Sequence, residues 1–123
     1  MAPIIRHTDG TCIRDYVHVS DLVRAHSDAL HYLRAGSASV TLNCGSSHGF
    51  SVREVIDRVK HSGVDFKVEI APRRPGDPAQ IIAACDRART LLGWTPQYDD
   101  LATIIAHALA WERRLRKARA AAL

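Results

Sequence analysis

Between Arg73 and Asp77 the chain has to reverse. Pro75 fixes φ and Gly76 admits φ > 0, so Arg74-Pro75-Gly76-Asp77 spells a tight turn. The turn brings the Asp77 carboxylate round towards two neighbouring guanidinium groups, Arg73 and Arg74. Paired guanidinium forks suit a diphosphate, and a carboxylate accepts hydrogen bonds from the vicinal hydroxyls of a ribose or sugar. The stretch is a clamp for a sugar nucleotide, or a solvated loop whose charges pair with each other. On these five residues alone the second reading weighs more, because exposed ion pairs are common and worth little.

The segments around the turn alternate between strand and helix patterns. Asp9-Gly10 marks a turn, and Cys12 to Val19 reads as a short extended stretch. In an extended chain Arg14 and Tyr16, two apart, share one side. They suit a phosphate and a neighbouring ribose, or equally an ordinary cation–π or surface pair, with the second favoured on this pattern alone. Ser20 as N-cap and Leu22, His26, Ala29, Leu30 and Leu33 at helical spacing predict a helix over 21–35, closed by Gly36. The run 39–43 alternates as a strand does, and a loop follows from Gly45 to Gly49.

Ser51-Val52-Arg53-Glu54 is a capping box opening a helix that Gly63 stops, with Val52, Val55, Ile56 and Val59 as its apolar stripe. Strict alternation over 66–70 predicts a strand with Phe66, Val68 and Ile70 inward. Past the turn, 80–84 is a short strand or buried loop. Asp86 is expected to cap a helix over 87–92, ended by Gly93, and Asp99 or Asp100 to open a last helix whose alanine-rich end frays. The pattern is α/β, with few and short strands and no Gly-x-Gly-x-x-Gly between a strand and a helix.

With 123 residues the chain has room for one domain. Its formal charge of +4 suggests nucleic acid only until the surplus is located. Five basic residues stand against one acid between Glu112 and Arg119, leaving twelve of each sign elsewhere. A basic end suits the negative terminus of a helix dipole, and no groove-reading motif or interleaved aromatics accompany it, so nucleic acid is not expected. No run of about eighteen apolar residues is present, and neither a membrane span nor a signal peptide is read, which places the chain as cytoplasmic. Cys12, Cys44 and Cys85 form no zinc spacing and are taken as reduced. His26 and His31 are five apart, not four, so no metal site is expected.

Four stretches in order give the pattern a family. Asp9 to Val19 with Asp21-Leu22 resembles the "DGTxxRDYxHVxDL" segment of UDP-glucose 4-epimerases, which are extended short-chain dehydrogenase/reductases. Leu42-Asn43, Gly45 and Gly49-Phe50-Ser51-Val52 with Glu54 resemble "NxGxGxGxSVxEV". Arg73 to Asp77, with Pro72 before them, resemble "PRRPGD", and Leu92 to Pro96 resemble "LGWxP". The resemblance implies that Arg74 and Asp77 hold UDP, and that Arg14 and Tyr16 contact the nucleotide. It thereby turns the odds on the clamp towards function. One departure puts a tight backbone turn in doubt, since Gly45-Ser46-Ser47-His48-Gly49 keeps only the outer glycines of "GTGxG".

The resemblance covers only the C-terminal third or so of such an enzyme. It implies an α/β fold that is the substrate-binding portion without the Rossmann cofactor-binding front, with residues 1–112 as the UDP-sugar-binding portion and 113–123 as a basic helical tail. The intact family uses NAD and a Tyr-x-x-x-Lys pair, and here Tyr16, Tyr32 and Tyr98 are followed four on by Ser20, Gly36 and Ala102. No catalytic residue and no bound cofactor are therefore expected in this chain, only weak UDP-sugar binding. In the family, parts of this segment complete and cover the cofactor domain's sheet, so the isolated piece is expected to associate as a homo-oligomer. The rival readings are a stand-alone interaction module, or a partner that completes a separate cofactor domain in trans.

Overall fold

The computed structural model describes residues 9–122, so the first eight residues of the 1–112 portion and the last of the tail lie outside the described residues. Seven elements follow one another: β1 (Ile13–Arg14), α1 (Val19–Arg34), β2 (Phe50–Ser51), α2 (Val52–His61), β3 (Gln80–Ile81), α3 (Asp86–Leu92) and α4 (Leu101–Ala121). The strands form a mixed sheet in the order β2-β1-β3. β1 pairs antiparallel with β2, setting Ile13 opposite Ser51, and parallel with β3, setting Ile13 opposite Gln80. The Ile13 N–H donates to the Ala79 carbonyl at 2.9 Å, and the Val52 N–H to the Cys12 carbonyl at 3.1 Å.

Local chemistry sets most helix ends. Ser51 and Glu54 form the expected capping box: the Glu54 N–H donates to Ser51 Oγ at 3.1 Å and the Ser51 N–H to Glu54 Oε2 at 2.6 Å. Asp100 caps α4 by accepting from the Thr103 N–H at 2.9 Å. Gly93 closes α3 at φ 63°, the left-handed conformation that favours glycine. The first helix begins earlier than its spacing predicts. His18, not Ser20, is the N-cap, its Nδ1 accepting from the Ser20 N–H at 3.0 Å. Asp86 lies inside α3 rather than capping it, paired with Arg89 at 3.7 Å. The chain end expected to fray is helical to Ala121, which its alanine content favours.

Two expected strands are absent. Residues 39–43 and 66–70 have no ladder partner among the described residues, and alternation makes a strand only where a neighbour takes its N–H and C=O groups. Phe66, Val68 and Ile70 do not face inward: all three are exposed, Ile70 almost wholly. The extended geometry survives locally, since Lys67 and Glu69, two apart, pair at 2.5 Å.

The core is small. Ala25 of α1, Ala88 of α3, Cys85 and Trp94 are buried together, with Leu42, Cys44, Ala83 and Leu92 packed on them. Burying an indole of this kind contributes roughly 2–3 kcal/mol. Leu101 and Ile105 of α4 are buried separately, where α4 meets α2. Much apolar surface stays in water: Val19, Val23, Leu30 and Leu33 on α1, and Trp111 on α4. Leu22, Ala29, Leu33, Val40 and Leu42 line an open apolar hollow of about 510 Å³ between α1 and the unpaired 39–43 run.

Candidate functional site

The central strand positions one half of the candidate site and the segment before β3 the other. Parallel pairing at Ile13–Gln80 draws 72–79 alongside β1. Within it the Asp77 N–H donates to the Arg74 carbonyl at 3.3 Å, and Gly76 lies at φ 79°. Pro at the second position and a positive-φ glycine at the third are the signature of a type II turn, as the sequence requires.

This turn carries Asp77 to Arg14, 63 residues earlier. Arg14 Nη2 donates to Asp77 Oδ1 at 2.7 Å, while Nη1 donates to the carbonyls of Ile13 at 2.7 Å and Pro78 at 3.1 Å. Arg74 Nη2 reaches the other oxygen, Asp77 Oδ2, at 3.6 Å. One carboxylate thus stands between two guanidinium groups. They are unequal: Arg14 is 26% exposed and Arg74 84% exposed. Arg73 turns the other way, donating to the Gly10 carbonyl at 3.2 Å, so the arginine pair does not act as one fork.

Tyr16 lies on the Arg14 side of the extended chain. Its phenol is held above the ordinary tyrosine value, first by burial and then by Cys12, against a downward pull from Arg14. Cys12 and Arg14 are the two charged or ionisable neighbours that act on Tyr16, as alternate residues of an extended run do. The Tyr16 hydroxyl has no hydrogen-bond partner among the described residues. The structure therefore brings Arg14, Arg74 and Asp77 into one cluster, with Tyr16 in electrostatic reach of Arg14. This cluster is an open surface; neither the apolar hollow nor a second one of about 770 Å³, between α2 and the start of α4, includes any of the four.

Three aspartates that the motif reading passes over hold the site's frame. Asp9 accepts from both the N–H and the hydroxyl of Thr11 at 2.8 Å, and from the Ser51 hydroxyl. Asp15 accepts from the N–H and hydroxyl of Ser46 at 2.8 and 2.7 Å, from the Ser47 N–H at 3.3 Å and from the Ala83 N–H at 3.1 Å. Asp21, fully buried, accepts from the Gln97 and Tyr98 N–H groups, each at 2.9 Å. Spaced six apart, they fasten the β1–α1 segment to 46–51, to Ala83 and to 97–98. The available signal was Asp21 standing one helical turn before Ala25, on the apolar face.

The Gly45–Gly49 loop turns tightly after all, at Ser47, whose φ is 64°. A Cβ on Gly45 would stand 2.4 Å from Asp15 Oδ2, and one on Gly49 would stand 2.4 Å from Ile13 Cγ2. The outer glycines make room for the protein's own side chains, the Ser46 and Ser47 amides are taken by the Asp15 carboxylate, and the His48 amide by the Ser46 hydroxyl. Such a loop does not fit the phosphates of a dinucleotide, which need those amides. Cys12, Cys44 and Cys85 are all free thiols.

No protein-family model matches the chain. The UDP-glucose 4-epimerase of Azospirillum brasilense is 52% identical over 110 residues, which are 89% of this chain and 32% of that relative. A solved UDP-glucose-4-epimerase from Stenotrophomonas maltophila, with bound NAD and formylated UDP-arabinopyranose, superposes with a TM-score of 0.84 at 39% identity, covering 91% of this chain and 33% of that one. The Bifidobacterium longum UDP-glucose 4-epimerase, in complex with NAD+ and UDP, gives 0.75 at 34% identity, over 88% and 32% of the two chains. The chain spans about a third of the length of these relatives. A small mixed α/β unit in fold, it matches the C-terminal part of UDP-glucose 4-epimerases.

Proposed function

We propose that this chain is the nucleotide-holding C-terminal portion of a UDP-glucose 4-epimerase, with residues 1–112 carrying the UDP-sugar contacts and 113–123 a basic helical tail. The observation that supports it most is the meeting of Arg14, Asp77 and Arg74 across 63 residues in a chain similar to that part of the enzyme. Arg14 and Arg74 offset the diphosphate, Asp77 accepts from ribose hydroxyls, and Tyr16 donates its hydroxyl to the same ligand. Binding is weak, because most of the ligand's enclosure in the relatives belongs to the other two thirds of their length. Calorimetric titration with UDP tests this, wild type against Arg74→Ala. Equal heats from the two proteins would remove Arg74 from the site.

Interconversion of UDP-glucose and UDP-galactose by the chain alone is not expected. The Gly45–Gly49 loop does not fit the NAD of the related structures, and no tyrosine has a lysine four positions on. Turnover with added NAD would overturn that.

One observation favours a second reading, in which the chain completes a separate cofactor-binding chain in trans. The unpaired 39–43 run beside the apolar hollow of α1 offers both a strand edge and a hydrophobic face. Alone, the same face drives homo-oligomer formation. Replacing Leu30 and Leu33 with lysine should then yield a monomer in size-exclusion chromatography with light scattering. A wild-type chain monomeric at all concentrations would count against the homo-oligomer, whereas co-purification with a Tyr-x-x-x-Lys-bearing chain, with NAD turnover restored, would establish completion in trans.

A further inference from the structure

We propose that α4 from Trp111 onwards is a docking surface for an anionic phospholipid membrane, on which the helix lies flat. The inference goes beyond the nucleotide reading and uses none of its residues. Along α4, Leu101, Ile104, Ala108, Trp111, Leu115 and Ala118 follow one another at alternating steps of three and four, which aligns them in one apolar seam. The start of the seam is covered, with Leu101 buried and Ile104 half-buried where α4 meets α2. Its far part runs out into water, and Trp111 is 56% exposed. Among the described residues no helix is long and apolar enough to cross a membrane, so α4 would rest on the surface and not span it.

The charges around the open part choose the occupant. Arg114 and Arg119 border the seam, while Arg113, Arg116 and Lys117 stand further round the helix. None of the five has an ion-pair partner among the described residues, and Arg114 lies over the Trp111 ring at 5.9 Å. A second copy of this helix would bring like charge against like charge. An acidic helix of another protein would meet the two bordering arginines and leave the other three cations in solvent. A flat anionic surface engages all five, because the screening length of about 10 Å is close to the width of a helix. Trp111 and Leu115 then enter the headgroup boundary, and the arginines beside them extend to lipid phosphates.

The test is co-sedimentation of the full chain with vesicles, read together with tryptophan emission. One set is phosphatidylcholine alone, and the other equal parts phosphatidylcholine and phosphatidylglycerol. Binding to the mixed vesicles only is expected, with a blue shift as Trp111 leaves water; Trp94, already buried, contributes none. Each cation near such a surface is worth about fivefold in affinity, so Arg114→Gln with Arg119→Gln should weaken binding about twenty-five-fold. Leu115→Gln should weaken it too, whereas Ala120→Gln, on the opposite side of the helix, should leave it unchanged. Equal binding to both vesicle types, or binding to neither, overturns the proposal. So does a Leu115→Gln variant that binds as tightly as Ala120→Gln. Tighter binding to a DNA duplex than to the mixed vesicles overturns it in favour of nucleic acid.

Discussion

Trp94 donates its indole N–H to the Asp21 carbonyl at 2.9 Å, 73 residues away, in the centre of the small core. The same aspartate's side chain takes the Gln97 and Tyr98 N–H groups, and Arg24 reaches its Oδ1 at 3.3 Å. Arg24 also donates to the Thr95 carbonyl. One residue thus ties α1 to the segment between α3 and α4. Asp21→Ala orphans two backbone donors and should cost about 2–4 kcal/mol in urea unfolding. A loss below about 0.5 kcal/mol would contradict the hub.

Gly45 should tolerate no side chain. Alanine there puts Cβ 2.4 Å from Asp15 Oδ2 and 2.8 Å from the Ala83 Cβ. Both neighbours are held in place, so the variant should lose about 1–3 kcal/mol. Gly93→Ala meets no atom, and its cost of about 1 kcal/mol comes from the left-handed φ alone. Thermal melts of the two variants should rank them in that order.

Arg14 and Arg74 differ in kind, though both flank Asp77. Arg14 anchors the turn to β1 through two hydrogen bonds, to Asp77 and Pro78, so Arg14→Ala should lower stability by about 1–2 kcal/mol and UDP affinity together. Arg74→Ala touches only an exposed ion pair and should lower affinity about tenfold with the melting midpoint unmoved. Melting curves and UDP titrations on both variants separate anchor from contact.

Asp100 gives the fold an acid limb. Its carboxyl is held below the ordinary value, chiefly by hydrogen bonds from the Thr103 hydroxyl and N–H. A carboxyl lowered in the fold contributes stability that is fully present above its unfolded value of about 3.9 and is lost as pH falls through the folded value. Wild type should exceed Asp100→Ala in helicity at neutral pH, and the gap should narrow below about pH 4. A gap that widens on acidification would refute the sign.

What was legible in the sequence is what is local or turn-directed. The Ser51–Glu54 box, the stops at Gly36, Gly63 and Gly93, and the turn through Gly76 need only neighbours within four residues, and each is present. The meeting of Arg14 with Asp77 was legible only through family resemblance, since nothing in either stretch points to the other. The strands over 39–43 and 66–70 failed because a period of two says which face is apolar and not whether a partner exists. The partners of Asp9, Asp15 and Asp21 were not legible, because an acid receiving backbone amides looks, in sequence, like an acid facing water.

Those three aspartates also set an order of assembly. Asp15 meets Ser46 and Ser47 and Asp9 meets Ser51 early, whereas Ala83 completes Asp15 and Tyr98 completes Asp21 only much later in the chain. During synthesis, the Asp21 carboxylate therefore stays hydrated until the chain through Tyr98 has been released. The buried end of this seam is thus the last to close, once Gln97 and Tyr98 have emerged.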